Sequence, residues 1–140
     1  MKIIFLIIVF FTIIGCVSNI QVDEAKVMAD NLLNNISSGK AEKSFSKKYF
    51  SQEQTKIVLN SLRYDCDFAN RKGNYINDYI HKEQGLTSVS FIYEFFLKCD
   101  SVRLILTYKL ESKIELYEFK IEPIETKNKM IIKRENQLKY

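Results

Sequence analysis

An α+β domain, with helices first and a bent antiparallel sheet after them, is the architecture this sequence predicts. Three observations predict it. Apolar residues recur at steps of three and four from Val22 to Ile36, and again through Val58, Leu62 and Cys66, which is the spacing of helices with one buried face. After Lys72-Gly73-Asn74 the apolar period drops to two, the repeat of strands with one buried face. Short turn clusters separate the alternating stretches, so successive strands run antiparallel. Two to three N-terminal helices packed on about four strands is the expected count.

Taken in order, the chain opens with a segment that stands apart from this domain. Lys2 is the sole charged side chain before Cys16, and an unbroken apolar run covers residues 3–11. A positive start, a short apolar stretch and a small residue, Gly15, before Cys16 read as a secretory signal over residues 1–15. The run is too short for a membrane-spanning helix, which needs about 20 apolar residues. Residues 16–21 follow as a short polar tether, and a single domain covers residues 22–124.

Helix one places Val22, Ala25, Met28, Ala29, Leu32, Leu33 and Ile36 on one stripe, with Asp23 and Glu24 at its positive end. Ser37-Ser38-Gly39 ends it, Gly39 being free to take the left-handed cap conformation. A second, shorter helix is expected over residues 41–50, carrying Phe45 and Tyr49. Ser51-Gln52-Glu53-Gln54 has the form of a capping box and opens a third helix that continues toward Asn70.

The first strand is expected over residues 75–82. The second, residues 87–99, turns Val89, Phe91, Tyr93, Phe95, Leu97 and Cys99 to one face. The third, residues 102–110, aligns Val102, Leu104, Leu106, Tyr108 and Leu110. In the fourth, residues 114–124, Ile114 and Leu116 share one parity, whereas Tyr117, Phe119 and Ile121 share the other. Such a phase change predicts a β-bulge and a bend in the sheet. Pro123 suits the end of that strand. Residues 125–140 read as an edge strand or a flexible tail.

Composition limits the function. Removal of residues 1–15 from the 140 leaves a 125-residue chain, one domain in size and able to bury a core. Its 20 Lys and Arg against 17 Asp and Glu give +3, since Lys2 leaves with the signal. That mixed surface argues against a nucleic-acid partner. One histidine, no C-x-x-C pair and no clustered carboxylates leave nothing with metal-ligand spacing, and no glycine-rich cofactor loop is present. No cofactor and no metal site are therefore expected.

Four sets of residues are candidates for a role. His81 and Tyr79 share a strand face and would form an acid/base pair only if that face lined a cavity. A solvated polar face, with Ile76 and Ile80 buried beneath it, is the plainer reading. The aromatics Phe91, Tyr93, Phe95, Tyr108, Tyr117 and Phe119 either line an apolar pocket or pack beneath the helices. Ile92 and Phe96 fall on the opposite face of their strand and suit a protein partner or a homodimer. Cys66 and Cys99 form an even pair for an oxidising compartment. Cys66 lies on the helical line Val58–Leu62–Cys66 and Cys99 on the strand face of Phe95 and Leu97. Both thiols thus point into the layer between helices and sheet, as a disulfide or as two buried thiols.

Two resemblances sharpen the expectation. Ile13-Ile14-Gly15-Cys16 resembles the bacterial lipobox, with Ile13 standing where Leu is usual. That likeness implies cleavage before Cys16, a thioether-linked diacylglycerol on its sulfur and, in many bacteria, a third acyl chain on the new amine. Val17, rather than Asp, after the cysteine implies the outer membrane, facing the periplasm. The order of helices and bent strands is similar to the nuclear-transport-factor-2-like superfamily, a cone-shaped roll, with a cystatin-like helix on a sheet as the other candidate. The resulting reading is a non-catalytic, lipid-anchored envelope protein that binds a protein partner through its sheet face. The alternatives are an apolar-ligand binder using the cone interior, an immunity lipoprotein against a periplasm-directed toxin, and a small acid/base enzyme.

Overall fold

The computed structural model describes residues 2–124, with side chains from residue 19 onward. Helices pack against one face of a four-stranded antiparallel sheet whose strand order follows the chain, β1-β2-β3-β4. Helix α1 spans Lys2–Ser38, α2 spans Gln52–Asn60, and the strands are β1 Asn74–Glu83, β2 Leu86–Phe96, β3 Ser101–Leu110 and β4 Ile114–Pro123. No helix among the described residues is long and apolar enough to cross a membrane.

Most of the stripe read from helix one is the stripe it buries, although Met28 is 36% exposed. Ala25, Ala29, Leu32 and Ile36 are buried, and α1 lies over β2 and β3. Two alanines along that stripe let the helix sit close to the sheet. Gly39 ends it at φ +73°, with the Gly39 and Lys40 N–H groups bonded back to the Ile36 and Asn35 carbonyls. At its other end α1 differs from expectation. Residues 16–21 continue the helix instead of forming a tether, and the Gln21 side chain donates to the Glu111 carbonyl at 3.1 Å. Cys16 falls within the part of α1 described by backbone alone.

Residues 41–50 are not a regular helix. A 3-10 turn covers Ala41–Ser44, after which Phe45 is extended at φ −101°, ψ 101°. The break serves Phe45, whose buried ring meets Phe50 and Phe119 edge-on at 5.1 and 5.3 Å. Continuing the helix would conflict with that placement, and the local run Ser44–Lys48 has little apolar surface to hold it helical. Ser51 caps α2 as expected, its Oγ accepting from the Gln54 N–H at 3.5 Å. Beyond Asn60 the chain loosens into a π-turn over Ser61–Asp65, and Asp67 is left-handed at φ 58°. The buried residues become Leu59, Leu62, Cys66 and Phe68, while Val58 is 37% exposed. The wider turn shifts the helical line by one residue at its start.

The two central strands follow the alternation. Val89, Phe91, Tyr93 and Phe95 on β2, and Val102, Leu104, Leu106, Tyr108 and Leu110 on β3, form the sheet half of the core. The phase change in β4 is a bulge: Thr107 pairs with Glu118 and Tyr108 with Leu116, leaving Tyr117 unopposed. Pro123 closes the strand. Strand β2 stops at Phe96, three residues short of Cys99, which lies in the Leu97–Asp100 loop. The disulfide Cys66–Cys99 forms from that loop, with Cα atoms 4.6 Å apart. The Lys98 N–H, bonded to the Cys66 carbonyl at 3.0 Å, docks the loop alongside.

Strand β1 departs furthest from the sequence reading. Neither parity is buried: Ile76 and Ile80 are 49% and 51% exposed. A bulge at Ile76 puts the two isoleucines out of phase, and beyond Tyr75, which meets Lys26 of α1, the residues of this strand are exposed or half-exposed. The edge strand or tail expected for residues 125–140 lies outside the described residues.

Candidate functional site

The candidate binding residues do not converge on one site. Tyr93 and Tyr108 are core residues on the helix-facing side, 3% and 2% exposed, and Tyr93 with Phe95 also lines a polar cavity of about 630 Å³ beside Asp30 and Gly73. Ile92 and Phe96 are on the other face, and between them in sequence Glu94 pairs with Arg103 at 2.7 Å. The middle of that outer face is polar as well. Buried Ser90 and Thr107 hydroxyls lie 2.9 Å apart, and Thr107 donates to Glu118 at 3.2 Å. His81 is exposed near the far end of β1, opposite Ser88. Tyr79 and His81 share the outer face of β1, opposite Ser90 and Ser88, and both are exposed.

A pocket lies at the other side of the molecule, between the segment Phe45–Leu59 and β4. It has a volume of about 420 Å³, and its apolar walls are Phe45, Phe50, Val58, Leu59, Phe119 and Ile121. Ser51, Gln54 and Thr55, from the first turn of α2 and its cap, bring polar groups to it. Tyr49 also lines it, with its ring edge-on to bulged Tyr117 at 5.4 Å and the Lys48 ammonium 4.8 Å from its centroid. The Tyr49 hydroxyl is buried, and the neighbouring Lys48 ammonium is the polar group that acts on it. Apolar walls with a few polar groups are the usual chemistry of a small-molecule site. Of these residues Phe119 alone belonged to the sequence-derived pocket set. The break at Phe45 and the bulge at Tyr117 open the space, and only the second had a signal in the sequence.

A separate polar cluster joins α1 to the first strands. Tyr93 donates to Asp30 at 2.7 Å, and Lys26 pairs with the same carboxylate at 2.7 Å. The Lys26 ammonium also lies 4.6 Å from the Tyr75 ring centroid and 5.3 Å from that of Tyr93. Tyr75 donates in turn to Asp78. Every acid and base in this chain of contacts has its partner, so the cluster acts as a latch holding the start of β1 to α1.

The latch has a pH signature. Partial burial alone would raise the Asp30 carboxyl, but the hydrogen bonds from Lys26 and Tyr93 outweigh it and hold its pKa below the ordinary value. A lowered folded-state pKa gives stability that is full above the unfolded value, near 3.8, and lost as pH falls through the folded one. Asp30→Asn is therefore expected to flatten the acid limb of a stability–pH curve below about pH 4. Denaturant midpoints measured across that range check it, and parallel curves would contradict it. Burial, with the Asp78 hydrogen bond and charge, pushes the Tyr75 phenol up to about 12. Burial raises Tyr93 and Tyr108 as well. Their folded forms are neutral, so stability is lost only as pH rises above the ordinary tyrosine value, about 10.

Among the described residues no three His, Cys, Asp or Glu side chains gather as metal ligands. Comparison with protein-family models, with curated proteins and with solved structures finds no match.

Proposed function

We infer that this chain is a lipid-anchored envelope protein whose domain takes a small apolar or amphipathic molecule into the pocket between Phe45–Leu59 and β4. The observation that carries the reading is a pocket of about 420 Å³ with apolar walls from Phe45, Leu59 and Phe119 and a few polar groups from Ser51, Gln54 and Thr55. A ligand with a polar end would bond to Gln54 or Thr55 while its apolar part fills the space beside Phe45, Leu59 and Phe119. The bulge at Tyr117 bends β4, in keeping with a cone-shaped roll of the nuclear-transport-factor-2-like kind. The Cys66–Cys99 bridge suits an oxidising compartment, and the Ile13-Ile14-Gly15-Cys16 sequence supplies the anchor. Two or three acyl chains on Cys16 hold stably at about 0.8 kcal/mol per buried CH₂, where one chain would not. The role in this reading is binding of that molecule, chiefly through apolar contact.

Native mass spectrometry of the full chain, expressed in a bacterium and released from detergent, tests both parts. The expected spectrum starts at Cys16, carries acyl mass there, and shows a co-purified molecule that Val58→Trp displaces by filling the pocket. Retention of residues 1–15, or an unmodified Cys16, would remove the anchor. A bound molecule kept equally by Val58→Trp, or none in the parent, would remove the pocket.

A second reading, a protein partner on the outer sheet face, is favoured by Phe96 and Tyr79, which are 55% and 52% exposed. Loss of a co-purifying protein on Phe96→Asp would support it.

A further inference from the structure

Among the described residues the two edges of the sheet differ. β4 carries features that discourage further pairing, the bulge at Tyr117 and Pro123 at its end. β1 is exposed or half-exposed along all its ten residues, and presents Tyr75, Ile76, Tyr79 and Ile80 to solvent. Its irregularity at Ile76 precedes the run 77–83, which pairs regularly with β2 down to Glu83↔Leu86.

That hairpin closure defines which backbone groups of β1 face outward. Gln84 and Gly85, both at positive φ, form a two-residue loop flanked by Glu83 and Leu86. Residues flanking such a loop bond to each other, and the pattern then alternates, so Lys82, Ile80 and Asp78 turn their N–H and C=O groups away from β2. The Asp78 N–H agrees, since it donates to the Asn77 side chain at 2.9 Å.

We propose that a second copy of this chain occupies this edge, β1 against β1, antiparallel and centred on Ile80. One register satisfies charge and hydrogen bonding together. Centred on Ile80, each Asp78 faces Lys82 of the other copy, Tyr79 faces His81 and Ile80 faces Ile80. Centring on Asp78 or Lys82 would oppose like charges, and centring on Tyr79 or His81 would set Asp78 or Lys82 against Ile80. Centred on Ile80, the outward groups of Asp78, Ile80 and Lys82 all find backbone partners, each pair exchanging two bonds. The Asp78–Lys82 pairs and Ile80 lie on one face, with Tyr79 and His81 on the other. Two four-stranded sheets thereby become one continuous sheet. The surface is independent of the pocket, which lies beside β4.

Charge exchange in the full chain, followed by sedimentation in detergent, tests the register. Lys82→Asp alone, or Asp78→Lys alone, opposes like charges at both symmetric positions and is expected to weaken self-association about tenfold or more. The double variant, Asp78→Lys with Lys82→Asp, regenerates both pairs and is expected to restore it, which a folding defect would not do. In parallel, Ile80→Cys treated with a short bismaleimide is expected to give a covalent dimer, because residue 80 meets its own copy. Ile76→Cys is expected to give little more than the parent, which accounts for Cys16. A monomeric parent, a double variant no better than the singles, or equal cross-linking at positions 76 and 80 would each overturn the proposal.

Discussion

Reducing the Cys66–Cys99 bridge is expected to lower the melting temperature of the domain by about 10–20 °C. The bridge spans a sequence separation of 33, and on the chain-entropy account a loop of that size contributes roughly 3.5–4 kcal/mol. It ties the end of the helical layer, where the π-turn leaves the backbone loosely wound, to the β2–β3 loop. The Lys98–Cys66 backbone bond alone would hold that junction at about 1 kcal/mol. The double variant Cys66→Ala, Cys99→Ala reproduces the unbridged state without reductant. Alanine is preferred to serine because Cys66 is buried, and a hydroxyl there would need a partner. Thermal melts with and without reductant check the expectation. The parent should fall to the melting temperature of the variant, and the variant should ignore reductant. Coincident melts for the oxidised and reduced parent would contradict it.

Phe91→Ala is expected to destabilise the domain by about 3–5 kcal/mol, whereas Phe96→Ala on the same strand should change stability by less than about 0.5 kcal/mol. Phe91 is 1% exposed, sits on the helix-facing side between Val89 and Tyr93, and meets Tyr108 at 6.2 Å between ring centroids. Its truncation leaves a cavity in the core between α1 and the sheet. Phe96 is 55% exposed at the end of β2, on the opposite face. Urea denaturation compares the two, with an unchanged slope as the sign that the unfolded states match. Similar costs for both phenylalanines would mean that the faces of β2 have been assigned the wrong way round.

Face assignment is the level at which this sequence is most informative. Along β2 and β3 the side-chain period is two, so a row such as Val102, Leu104, Leu106, Tyr108 and Leu110 declares its buried side without reference to anything else. The same logic makes the bulge at Tyr117 legible, because an extra residue must reverse the parity of all that follow. The buried stripe of α1 and the Ser51 cap rest on equally local rules. Gly39, at positive φ, is determined by its own backbone.

The tertiary structure decided the rest. Residues 41–50 have helical spacing, but Phe45 is held extended by rings at Phe50 and Phe119, one of them in the last strand. Val58 carries the expected helical phase, yet a π-turn three residues later hands burial to Leu59. β1 alternates as a half-buried strand would, but α1 meets only its start, at Tyr75, and both of its faces meet water. The sequence made Cys66 and Cys99 compatible with a bridge, and folding brought their Cα atoms to 4.6 Å. Tyr93 and Asp30, 63 positions apart, likewise share a hydrogen bond that neither neighbourhood announces. Periodicity records which side of an element is apolar, since that depends on the geometry of one element alone. Which elements meet, and where they leave a pocket or an open edge, depends on chain closure over long separations, and no local window contains it.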